Sequence, residues 1–136
     1  MAESYMNEKF KALAGNDIQA VSAGTYARNG FGPTKEAIAT MKKENIDISH
    51  YKSSELKKED IEKADIILAM ETHHKSKILE ISKEAGDKTY LLGHFNADKF
   101  HSEGIPDPIG RSIEFYEKTF EVIKKSIGGF IEWLKK

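Results

Sequence analysis

The chain has 136 residues, with 21 Lys+Arg against 22 Asp+Glu (formal net charge −1), 39% hydrophobic residues and no cysteine. One domain over residues 1–136 is expected at this length, with a core large enough to fold without disulfide or metal staples. The charge balance excludes bulk attraction to nucleic acid or anionic lipid, and zero cysteine excludes disulfides, thiolate zinc sites and thiol nucleophiles within these residues. No apolar stretch approaches the ~20 residues that span a bilayer. The polar start, Met1-Ala-Glu-Ser-Tyr-Met-Asn-Glu-Lys9, is unlike a secretory signal. A cytoplasmic protein without nucleic-acid or membrane partners is therefore expected.

Ala2, Met6, Phe10 and Leu13 recur at helical spacing and predict a first helix stopped by Gly15-Asn16. Residues 18–24, Ile-Gln-Ala-Val-Ser-Ala-Gly, predict a short strand. A loop punctuated by Gly30, Gly32 and Pro33 follows, and Thr34 is placed to cap a second helix with Ala37, Ile38 and Met41 inward, ending near Asn45. Leu56, Ile61 and Ala64 suggest a short helix. The run Asp65-Ile-Ile-Leu-Ala-Met70 suits a parallel strand covered on both faces. His73 to Lys83 predicts a helix with Ile78 and Ile81 inward, and Tyr90-Leu-Leu-Gly-His-Phe95 another strand. A loop over roughly 96–110 leads into a final helix with Ile113, Tyr116, Phe120, Ile123 and Ile127 on one face. Gly128-Gly129 is expected to weaken or kink that helix. The alternation predicts an α/β fold with a parallel sheet, thin at about three legible strands.

Asp107, in Ile105-Pro-Asp-Pro-Ile-Gly110, is the candidate acid. Two prolines stiffen the loop around one carboxyl, just past a strand, where sites of open α/β sheets collect. The same pattern also makes a plain turn. Tyr26 and Phe31 are candidates for pocket walls. Adjacent residues on a helix point about 100° apart, so His73-His74 is read as a solvated helix start rather than a ligand pair. His50, His94 and His101 stand alone, and no metal site or cofactor is expected. The Gly24–Gly32 stretch lacks the phosphate-loop pattern and its Lys, and no nucleophile elbow is present.

Taken in order, the segments resemble the low-molecular-weight protein phosphatase family. The pieces are Met1-Ala-Glu3, Ser22-Ala-Gly-Thr25, Asp47-Ile-Ser49 with Lys52-Ser53 and Leu56, Ala64-Asp-Ile-Ile-Leu-Ala-Met70, Pro106-Asp-Pro108 and the Ile113–Leu134 helix. The run Asp107-Pro-Ile-Gly-Arg-Ser-Ile113 is most similar to the bacterial branch that includes protein-arginine phosphatases. The resemblance implies a three-layer fold, a parallel sheet with helices on both faces. It also implies hydrolysis of protein phosphotyrosine or phosphoarginine through a cysteinyl-phosphate, with Asp107 protonating the leaving group and then activating water.

The family's first, central strand and its Cys-x5-Arg phosphate loop precede the helix that matches Met1-Ala-Glu3, so the resemblance implies a chain lacking both and inactive as given. The lost strand would leave two rows of unpaired backbone groups, each costing on the order of 1–3 kcal/mol if buried. Poor stability, rearrangement or a strand-exchanged oligomer is expected. Ser22 falls where a family serine supports the phosphate loop. Tyr51 occupies the slot of a frequent family histidine, with His50 one residue early. Ile109 replaces an aromatic against the substrate and favours phosphoarginine or a less selective pocket. A non-catalytic binding module of the same fold is the alternative. Arsenate reduction ranks last, because it needs further cysteines near Leu68-Ala-Met70.

Overall fold

The computed structural model describes residues 1–14, 17–98 and 102–136, the side chain of Ala14 excepted. The expected stop at Gly15-Asn16 and His101 lie outside the described residues. Five α-helices are present among them: α1 (Ala2–Ala14), α2 (Lys35–Lys42), α3 (Lys58–Lys63), α4 (Thr72–Ile81) and α5 (Ile113–Leu134). They accompany two strands, β1 (Ile67–Ala69) and β2 (Thr89–Leu91), paired in parallel with Leu68 opposite Tyr90.

Local chemistry accounts for the helix ends. The Thr34 hydroxyl accepts the Ala37 N–H at 3.2 Å and donates to the Tyr116 hydroxyl at 3.0 Å, so one cap both starts α2 and ties it to α5. Asn45 takes a left-handed φ of 61° just past α2, a conformation its short amide tolerates. Ser112 caps α5 by accepting the Phe115 N–H.

The sheet is covered on both faces, as parallel pairing requires. On one side Ile61 of α3, Ala69 of β1, Ile78 of α4 and Ala85 form a buried cluster, with Ile67 and Leu91 packed against it. On the other, Met6 and Phe10 of α1, Ala37 and Met41 of α2, and Tyr116, Phe120, Ile123, Ile127 and Phe130 of α5 form the larger core, with Leu68 and Met70 against it. The α/β, three-layer arrangement is the expected one. Leu13 turns outward at 41% exposure, so α1's apolar face ends at Phe10.

Three sequence expectations are corrected. Residues 18–23 are not a strand. They run without a ladder, and only Gly24 pairs, in an isolated bridge to Glu55. Strand character needs a neighbouring strand, and the described residues place none beside this segment. Asn7 of α1 stands in for one: its amide nitrogen donates to the Ala20 carbonyl at 2.9 Å and its amide oxygen accepts the Ala20 N–H at 2.7 Å. The sheet of described residues therefore has two strands, not three.

The expected strand over 90–95 ends at Leu91, where the chain turns into a single 3-10 turn over Leu92–Phe95. Finally, α5 runs unbroken through Gly128-Gly129. A Cβ on Gly129 would lie 1.9 Å from the Phe95 carbonyl oxygen, so this glycine serves close approach of the 3-10 turn to the helix rather than a kink.

Candidate active site

The carboxyl end of β1 runs directly into the site. Met70 and Glu71 follow the strand, and the Asp107 loop is pinned to them: Ile105 N–H donates to the Met70 carbonyl at 2.8 Å, and Gly104 bridges Glu71 in antiparallel sense. Gly104 has φ +152°, and a Cβ there would sit 3.3 Å from Glu71 Cα and from the Met70 oxygen, so the loop can press this closely only with glycine. Past the pin, Pro106 and Pro108 fix φ on either side of Asp107. Its Oδ1 accepts the Ile109 N–H at 3.0 Å. The Asp-Pro pattern is thus a real turn, and the turn occupies one oxygen of a carboxylate that offers about four lone-pair positions.

A cavity of about 200 Å³ opens between this loop, the first residues of α1 and α5. Met1, Ala2, Met70, Glu71, His74 and Asp107 are among its walls, with Thr119 and Ile123 of α5 behind them. The space takes a group of a few heavy atoms rather than a large cofactor.

His74 is not a solvated residue. Its Nδ1 accepts the backbone N–H of Glu71, the N-cap of α4, at 3.1 Å, which in the neutral ring places the proton on Nε2. Burial, then the neighbouring His73, holds its pKa below the ordinary imidazole value, with Glu71 and Asp107 pulling the other way. The His73 and His74 rings lie 4.1 Å apart between centroids, and His73 Nε2 stands 3.3 Å from Glu71 Oε1. Backbone rotation splays the two Cα–Cβ bonds, yet side-chain torsions bring the rings together, correcting the picture of two histidines held apart.

Of the residues singled out from sequence, Asp107 lines the cavity. Ile109, Tyr26 and Phe31 are outside its lining and 65%, 81% and 62% exposed. Tyr26 sits beneath the Lys77 ammonium, 5.6 Å from ring centre to Nζ. Ser22 and Tyr51 meet at a common partner. The Ser22 hydroxyl donates to Glu3 Oε1 at 3.2 Å. Burial first, and then the Glu3 carboxylate bonded to it, raise the Tyr51 phenol above its ordinary pKa. Glu3, in the first turn of α1, thereby ties that helix start to two loops. Glu71, His74 and Thr119 escaped the sequence reading. For Glu71 the signal was present, since it directly follows the apolar run of β1.

The sequence profile of low molecular weight phosphotyrosine protein phosphatases matches residues 1–136. The chain belongs to this family. It is 36% identical over 126 residues to a protein-arginine-phosphatase of Geobacillus stearothermophilus, covering 92% of this chain and 81% of that protein. A putative low molecular weight protein-tyrosine-phosphatase of Klebsiella pneumoniae is 30% identical over 114 residues, 84% of this chain and 76% of the relative. The crystal structure of a low molecular weight protein tyrosine phosphatase from T. tengcongensis superposes with a TM-score of 0.86 at 38% identity, covering 96% of this chain and 87% of that one. The YwlE arginine phosphatase of Geobacillus stearothermophilus gives the same TM-score at 34% identity, over 98% and 82%. The three-layer phosphatase architecture is thus common to this chain and its solved relatives. No described helix is long and apolar enough to cross a membrane.

Proposed function

We propose that Asp107 is the general acid and base of a protein phosphatase site of the cysteinyl-phosphate kind. We further propose that these 136 residues carry the acid, the cavity and the scaffold without a nucleophile. The observation that carries this is the position of Asp107 on the wall of a cavity bounded by the start of α1 and the carboxyl end of β1. A helix start offers free backbone N–H groups and a positive dipole end, which suit a phosphoryl group. Asp107, close by, suits proton delivery to the leaving oxygen or nitrogen and then proton removal from water. The sequence contains no cysteine, so the chain by itself forms no cysteinyl-phosphate and does not turn over.

Ser22 and Tyr51, both on Glu3, act as supports that hold the start of α1. The 36% identity to an arginine phosphatase makes phosphoarginine the first substrate to test, with phosphotyrosine beside it; Ile109, outside the cavity lining, gives no selectivity. Among the described residues β1 pairs along one edge only and segment 18–23 joins no ladder, and both favour strand exchange between copies. Light scattering of the purified chain tests that exchange, and a strictly monomeric protein at high concentration removes it.

The functional test is hydrolysis of phosphoarginine and phosphotyrosine peptides by the chain alone and by the chain extended with a strand and a Cys-x5-Arg loop. No turnover is expected from the first. In the second, Asp107→Asn is expected to lower kcat by roughly 10²–10⁴. Turnover by the unextended chain, abolished by Asp107→Ala, overturns the proposal. A non-catalytic binding module predicts instead that the extended chain stays inactive while still capturing phosphopeptide.

A further inference from the structure

At the rim of the cavity, Glu71, His73 and His74 each present a ligand atom within 4.8 Å of the others. Two imidazoles and a carboxylate are a donor set that suits zinc and its divalent neighbours. Zinc bonds of about 2.0–2.1 Å in tetrahedral geometry place ligand atoms roughly 3.3 Å apart. One edge of that tetrahedron already exists, because His73 Nε2 and Glu71 Oε1 are 3.3 Å apart. We propose that Glu71, His73 and His74 form a divalent transition-metal site beside the cavity, with Zn²⁺ as its best-suited ion. The proposal stands on these three side chains and is independent of the phosphatase reading.

Two costs set its strength. The Nδ1 lone pair of His74 now accepts the Glu71 N–H. Coordination through this nitrogen exchanges that bond for a metal bond, whereas coordination through Nε2 requires the other tautomer, which the same N–H opposes. The positive end of the α4 dipole also disfavours a cation, and the Glu71 carboxylate is the group that offsets it. Affinity is therefore expected on the order of micromolar rather than nanomolar.

His73 is the residue to vary, since its side chain is 59% exposed and its removal is expected to leave the fold intact. The full chain, freed of metal with a chelator, is titrated with ZnCl₂ by calorimetry, and imidazole nitrogen resonances are followed in parallel. One-to-one binding is expected, with His73→Ala and Glu71→Gln weakening it at least about tenfold. The control His50→Ala is expected to leave it unchanged. The His73 and His74 resonances are expected to shift and that of His50 to stay. Absence of saturable binding, equal affinity in His73→Ala, or an equal loss in His50→Ala overturns the proposal.

Discussion

Replacing the two glycines of α5 singly by alanine is expected to move stability in opposite directions. A Cβ at Gly128 meets nothing within 4 Å, and the position is exposed. The change recovers helix propensity, about 0.8–1.0 kcal/mol for Gly to Ala. At Gly129 the same propensity is recovered, but the new carbon lies 1.9 Å from the Phe95 oxygen and 2.9 Å from its carbonyl carbon. Ordinary contact needs more than 3 Å, so the 3-10 turn and α5 must separate by over an ångström or the helix must bend.

Both partners at Gly129 are backbone, and no side chain can swing aside. Overpacking of this kind costs about 1–3 kcal/mol. The separation also loosens the Phe95 ring from Phe130 and Trp133, whose centroids lie 5.2 Å from it. The two variants should therefore differ by about 1–3 kcal/mol, the overpacking cost alone, because the propensity gain is common to both. Urea unfolding followed by circular dichroism reads this as midpoints on either side of the parent's, with unchanged slope. Gly129→Ala equal to or more stable than the parent refutes the close-approach account and restores the glycine pair to a helix-weakening role.

Asn7→Ala removes both bonds to Ala20 and leaves a half-buried N–H and C=O to find water, at about 1–3 kcal/mol by urea unfolding. A loss below about 0.5 kcal/mol would show that solvent satisfies the segment equally well. Lys88 donates to the Ile61 and Ala64 carbonyls at 2.7 and 2.8 Å, closing the end of α3. Lys88→Met should cost about 1.5–3 kcal/mol, the range for bonds to a charged group, and a neutral result refutes the capping role. His74 titrates below its ordinary value of 6.5 in the folded state. Between the lowered folded-state value and 6.5 the unfolded chain binds the proton more readily, so stability should rise as pH rises through that window and level off above about 6.5. Thermal unfolding across this range in chelator, with His74→Gln as control, should show that rise only in the parent.

Elements whose causes lie within a few residues were legible. Thr34 as a cap, Asn45 as a stop and the five apolar residues of α5 act through neighbours in sequence, and the apolar run Ile66 to Met70 was legible as a strand packed on both faces, with Ala69 buried and the rest half-buried. Where the cause is distant, sequence misled. Residues 18–23 have the composition of a strand, but pairing decides, and their partner is an amide 13 positions away. Gly129 looks like a helix breaker until Phe95 is brought against it. At the site, the turn at Asp107 was legible from its flanking prolines. His74 was not, because its bond to a backbone N–H three residues earlier hides a polar ring that the sequence presents as solvated.

The two cores differ in how they are wired along the chain. The cluster of Ile61, Ala69, Ile78 and Ala85 draws on a continuous stretch from Leu56 to Leu91. The larger core gathers α1, α2 and α5 from opposite ends of the chain. Loop closure taxes long-range contacts most, so the βαβ stretch is the part that can assemble from local encounters, while the larger core must wait for both ends to arrive. Opening follows the reverse order. Release of α1 or α5 strips the same core and unbinds the cavity, while β1, α4 and β2 retain their own cover. Amide exchange should therefore divide the molecule along this line, with protection of the cavity walls set by the chain's two ends.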